Sequence, residues 1–322
     1  MTPNALVHSP GPLYHRLART PGHWWRSVLG TGFILVGLTF AVGGLSVRPP
    51  SNAIAEFGLE LLGLGLLVPL VLLAARWVQR RPAGTVSSVA GHLRWRWLGQ
   101  CLLVALPVIL VSFVAMILLA VAMGEPALSE DAHWVGWGQF LGSTLMLVAL
   151  VPFQAAGEEY LMRGWLMQVV GGFLRRPWTP IAIQAVAFAA LHGWGTAWGF
   201  SDLVVFGALA GWLTIRTGGL EASIALHATN NLIAMLLAAA SGGLTSDATA
   251  ADLTWPYVLV DVVFLIVYTL LVARVAGRVQ LEREAPCGET LIAVEPWELD
   301  HLLGPEAGMR EVMADRRASE GL

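Results

Sequence analysis

Residues Val151–Trp165 read VPFQAAGEEYLMRGW. An apolar segment running from Trp137 leads into two adjacent carboxylates, Glu158 and Glu159, and Arg163 follows four residues after the second. On a helix, an acid four residues before a base lies on the same face and pairs with it. Glu159 and Arg163 are therefore predicted partners, and pairing lowers the cost of holding either charge near lipid. Glu158 points about 100° away and has no local basic partner. An unpaired carboxylate in a low-dielectric site suits a general base working near neutral pH. The fold reading turns on this stretch, because such carboxylates survive in an apolar helix only if it faces the interior of a bundle or a wet cavity.

The rest of the chain supports a membrane setting. Of 322 residues, 56% are hydrophobic and 13% charged, about half the charge of an ordinary soluble domain. The net charge of −3 gives no footprint for a nucleic-acid partner. The two cysteines, Cys101 and Cys287, offer neither a disulfide framework nor a cysteine metal site. A polar stretch of more than twenty residues precedes the first apolar run, unlike a secretory signal. The C-terminal ASEGL carries no prenylation box.

A crossing helix needs about 20 apolar residues. Eight candidate spans follow, at 28–47, 54–75, 99–123, 137–160, 179–193, 201–216, 220–240 and 256–275. The fifth and sixth are short, so 179–216 is also compatible with a tight hairpin inside the bundle. The predicted fold is all-α, a polytopic bundle of about eight transmembrane helices with a polar intramembrane cavity. It divides into a cytoplasmic N-terminal segment, 1–27, a transmembrane domain, 28–275, with its motif core at 137–240, and a cytoplasmic acidic tail, 276–322. The tail has one amphipathic stretch, PWELDHLLGPE, at 296–306. Arginines gather before the first span, at Arg76–Arg96, around Arg163–Arg176, at Arg216, and at Arg274 and Arg278. The alternate loops hold only Arg48, beside acidic stretches such as GEPALSEDAH at 124–133. The positive-inside rule then places both termini in the cytoplasm, and an even number of spans agrees.

Further ionisable groups lie in the apolar segments: His192 late in the fifth span and His227 in the seventh. Phe188 precedes His192 by four residues, and Asn231 follows His227 by four, so each pair shares a face. Plainer readings stand beside the chemical one. Glu159 and Arg163 also fit a helix ending at the membrane boundary, and the histidines, Asn230 and Asn231 also fit interhelical hydrogen bonding. Glu56, Glu60, Asp202 and Glu221 sit at span starts, with Asp261 close to one, and are read as interfacial. Gly207 and Gly211 form a small-xxx-small pair that lets a neighbouring helix approach.

Taken together, EExxxR (Glu158, Glu159, Arg163), FxxxH (Phe188, His192) and HxxxN (His227, Asn231) resemble the motifs of the CPBP intramembrane proteases, the CAAX protease, bacteriocin-processing or Abi family. The three occur in that family's order, each on its own apolar segment, within about 137–240. The resemblance implies a peptide-bond hydrolase with a site near the cytoplasmic side. It implies that Glu158 activates water, that His192 helps hold it, and that His227 and Asn231 stabilise the oxyanion. Glu159, Arg163 and Phe188 would be supporting residues. No cofactor is implied. The implied partners are the bilayer and a peptide or protein substrate at the membrane, whose lipidation the residues leave open. The implied location is the plasma (inner) membrane.

Other readings use the same residues. A zinc protease would take His192, His227 and Glu158 as ligands and leave a position for water, although no HExxH is present. A non-catalytic immunity or scaffold protein would use the cavity to bind a partner. A transporter would use the carboxylates and histidines as a proton relay, although no paired broken helices occur in two halves.

The arginine asymmetry gives a first test. Cysteines introduced near Arg80 and Arg81 are expected to label only after permeabilisation of sealed cells, and those at Glu130 and Asp247 to label from outside. Labelling at 130 only after permeabilisation overturns this topology.

Overall fold

The computed structural model describes residues 4–7, 11–19, 22–46, 52–125, 132–174, 176–245, 249–286 and 290–293. Among the described residues, those of 12–285 form one compact unit, and 4–7, 11, 286 and 290–293 belong to a second. In the latter, β1 (Asn4–Val7) pairs antiparallel with β2 (Thr290–Ala293), Asn4 opposite Ala293. Cys287, Glu130, Asp247 and the amphipathic stretch 296–306 lie outside the described residues.

The larger unit is a helical bundle. Its helices are α1 (Trp25–Ser46), α2 (Ala53–Gly65), α3 (Leu67–Leu73), α4 (Trp95–Met123), α5 (Trp137–Glu159), α6 (Met167–Phe173), α7 (Trp178–Leu191), α8 (Ala197–Thr217), α9 (Glu221–Ser241) and α10 (Trp255–Val279). Seven helical stretches among the described residues are long and apolar enough to cross a membrane. Leu103, Leu145 and Phe40 are among many large apolar side chains that point outward, as lipid-facing residues do. The integral membrane bundle predicted from composition is therefore what the chain forms.

The weak fifth span is α7, with 14 residues, a partial crossing beside the seven long ones. The sixth is longer than its apolar run. The Thr196 hydroxyl accepts from the Gly199 amide at 2.9 Å, an N-cap that starts α8 four residues before the run. The fourth span continues past its glutamates. A π-helical segment, Tyr160–Leu166, follows α5 and leads into α6, so that Trp137–Phe173 is one 37-residue stretch. Pro152 lies inside α5, where it removes a backbone donor. π-segments commonly mark functional sites, and this one begins immediately after Glu159.

Backbone contacts define the two ends of the bundle. At one end the Val89 amide donates to Gly218 O at 2.8 Å and the Leu220 amide to Ser87 O at 2.9 Å. There Arg94 grips Glu221 through Nε–Oε1 at 2.9 Å and Nη2–Oε2 at 2.7 Å. Glu221 does start its span, but it is fully buried rather than interfacial. At the other end the Thr196 amide donates to Ala251 O at 2.8 Å and the His133 amide to Ser241 O at 3.2 Å. The arginine-rich loop 79–94 belongs to the first end, and the α7–α8 and α9–α10 connections to the second.

Close approaches depend on small residues. A Cβ on Gly207 would lie 2.8 Å from Ala185 Cα on α7, and one on Gly211 would lie 2.6 Å from Gln184 Nε2. The Gln184 amide fills the space, donating to Gly207 O at 2.7 Å. Overpacking a fitted interior costs about 1–3 kcal/mol. Gly207→Val is accordingly expected to lower the melting temperature and yield of detergent-solubilised protein, whereas Gly32→Val, in open space on α1, leaves both unchanged.

Candidate active site

Three helices and the π-segment bring the motif residues together. Glu159 ends α5 and is wholly buried, as is Arg163 one turn later. Their predicted pair is present, with Arg163 Nη1 donating to Glu159 Oε1 at 2.9 Å. The same Oε1 lies 2.8 Å from His227 Nδ1 on α9. A carboxylate only accepts, so Nδ1 carries the proton and Nε2 faces the other way. Nε2 is 3.7 Å from Glu158 Oε2. Glu158 is thus not without a partner: His227 approaches it across the bundle, and Gln154 Nε2 donates to its Oε1 at 2.6 Å. Gln154 Oε1 accepts from Asn231 Nδ2 at 3.2 Å. One connected array runs Arg163–Glu159–His227–Glu158–Gln154–Asn231.

Accessibility separates the two glutamates. The Glu158 side chain is 16% exposed and that of Glu159 is 0%. Water reaches the first and not the second. Glu159 is instead placed to orient the His227 ring, through the 2.8 Å contact with Nδ1.

Aromatic rings close the apolar side. The Arg163 guanidinium lies 4.3 Å from the Phe188 ring centre and 5.7 Å from that of Phe206, a favourable cation–π geometry. Phe188 and Phe206 stack at 5.6 Å, and each meets the His227 ring edge-on, at 5.6 and 5.4 Å. The chemistry of Phe188 is therefore packing and guanidinium support. His192 follows the last residue of α7, with Nδ1 at 2.9 Å from Phe188 O and its ring 4.5 Å from that of Phe188. It makes no direct hydrogen bond with Glu158, His227 or Asn231. It lines the same cavity as His227, Asn230 and Asn231, a space of about 200 Å³. That cavity runs from the level of His227 toward the end carrying Thr249, Ala250 and Leu253.

His227 Nδ1 is engaged by Glu159, and among the described residues no three His, Cys, Asp or Glu side chains gather as a metal-holding group.

This region is also where the chain meets known proteins. Residues 140–233, from early α5 into α9, match a protein family. The family is Rce1-like, type II CAAX prenyl endopeptidase. It is a family of intramembrane peptidases, and the match carries the resemblance noted in the three motifs. An uncharacterized protein of Bacillus subtilis (strain 168), YyaK, is 27% identical over 176 residues, covering 51% of this chain and 55% of the relative. The chain thus spans about half the length of the curated relative it matches. No solved structure matches it significantly.

Gln154 and Phe206 complete the site without belonging to any motif. Gln154 had a local signal, since it precedes Glu158 by four residues. Phe206 had none.

Breaking a buried pair by removing one partner costs about 3–5 kcal/mol. Glu159→Gln leaves the buried Arg163 unpaired and is expected to lower the melting temperature of the purified protein sharply. Adding Arg163→Gln restores part of the loss, as residues in contact couple. Equal melting curves for wild type and Glu159→Gln contradict the pairing.

Proposed function

We propose that this protein is an intramembrane endopeptidase in which Glu158 activates the attacking water. The observation that carries the reading is the convergence of an accessible carboxylate, an oriented imidazole and a carboxamide: His227 Nε2 stands 3.7 Å from Glu158 Oε2, and Gln154 hydrogen-bonds both Glu158 and Asn231. Glu158 takes a proton from water as the oxygen attacks the peptide carbonyl carbon. The carbonyl π-bond opens to an oxyanion. His227 Nε2 and the Asn231 amide donate to it, charge that exists only in the transition state and intermediate. Collapse breaks the C–N bond, and the proton held by Glu158 passes to the leaving amine. His192 holds the water from the cavity wall.

Donation from Nε2 requires that this nitrogen also carry a proton, and the Glu159 carboxylate against Nδ1 is placed to stabilise the ring in that form. His227 lies six residues into α9 and fourteen before its end, about 9 Å and 21 Å by helical rise. The reacting groups are therefore nearer the arginine-rich end. By the positive-inside rule this favours cleavage near the cytoplasmic side, with both termini cytoplasmic. The proposed substrate is a peptide or protein segment at the membrane, and the plasma (inner) membrane is the proposed location.

The test is product formation by the purified full chain in proteoliposomes, followed by mass spectrometry of a membrane-peptide mixture. Glu158→Gln is expected to abolish cleavage and leave folding near normal. Asn231→Ala is expected to lower the maximal rate about 10²–10³-fold, the loss of one oxyanion donor, with little change in apparent binding. Wild-type protein that forms no product while still binding peptide supports the scaffold reading. Elemental analysis and prolonged chelation are expected to find no stoichiometric zinc and unchanged activity. One tightly held zinc per chain, lost on His192→Ala or His227→Ala, overturns the glutamate mechanism.

A further inference from the structure

Two carboxyls line the same cavity as the motif residues. Asp202 lies on α8 and Asp261 on α10, and both line the space that His192, His227 and Asn231 line. Their side chains interact directly with each other. Asp202 is only 5% exposed, and its Oδ1 has no hydrogen-bond partner. Sequence position alone made these residues interfacial. Their placement gives the cavity two carboxyls beside the apolar surface of Phe113, Met116, Leu203 and Phe206.

We propose that Asp202 and Asp261 form an acidic subsite that receives a basic side chain, arginine or lysine, of the peptide substrate. The proposal rests on the endopeptidase reading and names its substrate preference. The two carboxyls hydrogen-bond to each other, which leaves Asp202 Oδ1 without a donor. A cation beside the pair supplies that donor and offsets the charge the desolvated pair retains. No arginine lines this cavity. The approach suits a long basic side chain. Phe113, Met116, Leu203 and Phe206 offer apolar surface for its methylene stem. Phe206 touches the His227 ring edge-on at 5.4 Å, and Asp202 lies four residues earlier on α8, about one 5.4 Å turn further. Residues of an extended peptide are about 3.4 Å apart. An extended peptide covers that span of roughly 11 Å in about three residues, so the basic residue stands within about three positions of the scissile bond.

The rival reading is that the two aspartates only join α8 to α10, in which case substrate charge is irrelevant. Full-length Glu158→Gln protein in detergent is titrated with fluorescent leucine–alanine peptides carrying one arginine, lysine, citrulline or norleucine. Binding is read by anisotropy. The arginine and lysine peptides are expected to bind about tenfold or more tightly than the neutral isosteres, since a site built for a polar group rejects an analogue lacking it. Adding Asp202→Asn and Asp261→Asn, alone or together, is expected to erase that ratio. These near-isosteric changes keep hydrogen-bonding groups at both positions, and melting curves verify folding. In a second variant, Asp261→Arg is expected to reverse the preference toward glutamate-bearing peptides. An absent preference, or one that survives the double change, overturns the proposal. The binding ratio needs no turnover, so failure of wild-type protein to cleave any of these peptides counts against the endopeptidase reading and leaves the subsite result standing.

Discussion

One buried oxygen organises this bundle. Glu159 Oε1 accepts from Arg163 at 2.9 Å and from His227 at 2.8 Å. A desolvated carboxylate is tolerable only when its partners are this close, so α5, the π-segment and α9 must keep their mutual positions. Arg163 extends the constraint to α7 and α8 by lying against Phe188 and Phe206. The more accessible Glu158 is then held 3.7 Å from an imidazole whose orientation Glu159 sets.

Backbone features serve this constraint. Gly157 precedes the glutamates, and a Cβ there would lie 2.2 Å from Leu64 O. Its bare backbone lets the end of α2 press against α5 at the site. The π-segment widens the helix just after Glu159 without breaking the 159–163 pair. On the other partner helix, Arg94 and the loop 79–94 pin Glu221 at the first residue of α9. His227 is held from one side by its carboxylate and from below by a fixed helix start.

Much of this was legible in the sequence because helical spacing is local. The pair Glu159–Arg163, the shared face of Phe188 and His192, and that of His227 and Asn231 all follow from a four-residue step. The apolar runs gave the spans, and Gly207 announced a close neighbour. What escaped has tertiary or capping causes. Gln154 was within reach of the same four-residue rule, but its role depends on Asn231, 77 residues away. Arg94 and Glu221 are 127 residues apart. Asp202 and Asp261 stand on helices separated by the whole of α9, and nothing local says that they meet. Thr196 extended α8 through a cap that hydropathy does not register. Glu158 looked isolated because its imidazole neighbour arrives from another helix.

The brevity of α7 has a consequence for the surrounding lipid. Fourteen residues rise about 21 Å, against a hydrocarbon core about 30 Å thick. The segment around Ala251 satisfies the backbone at the end of the shortfall, through the Thr196 amide, but it does not add apolar height. The bilayer beside α7 must therefore thin or tilt its neighbours, at a cost of a fraction of a kcal/mol per Å of mismatch. A thicker membrane raises that cost and a thinner one lowers it. Bilayer thickness thus acts on the flank of the bundle that ends in His192, and it favours the protein in thinner membrane regions.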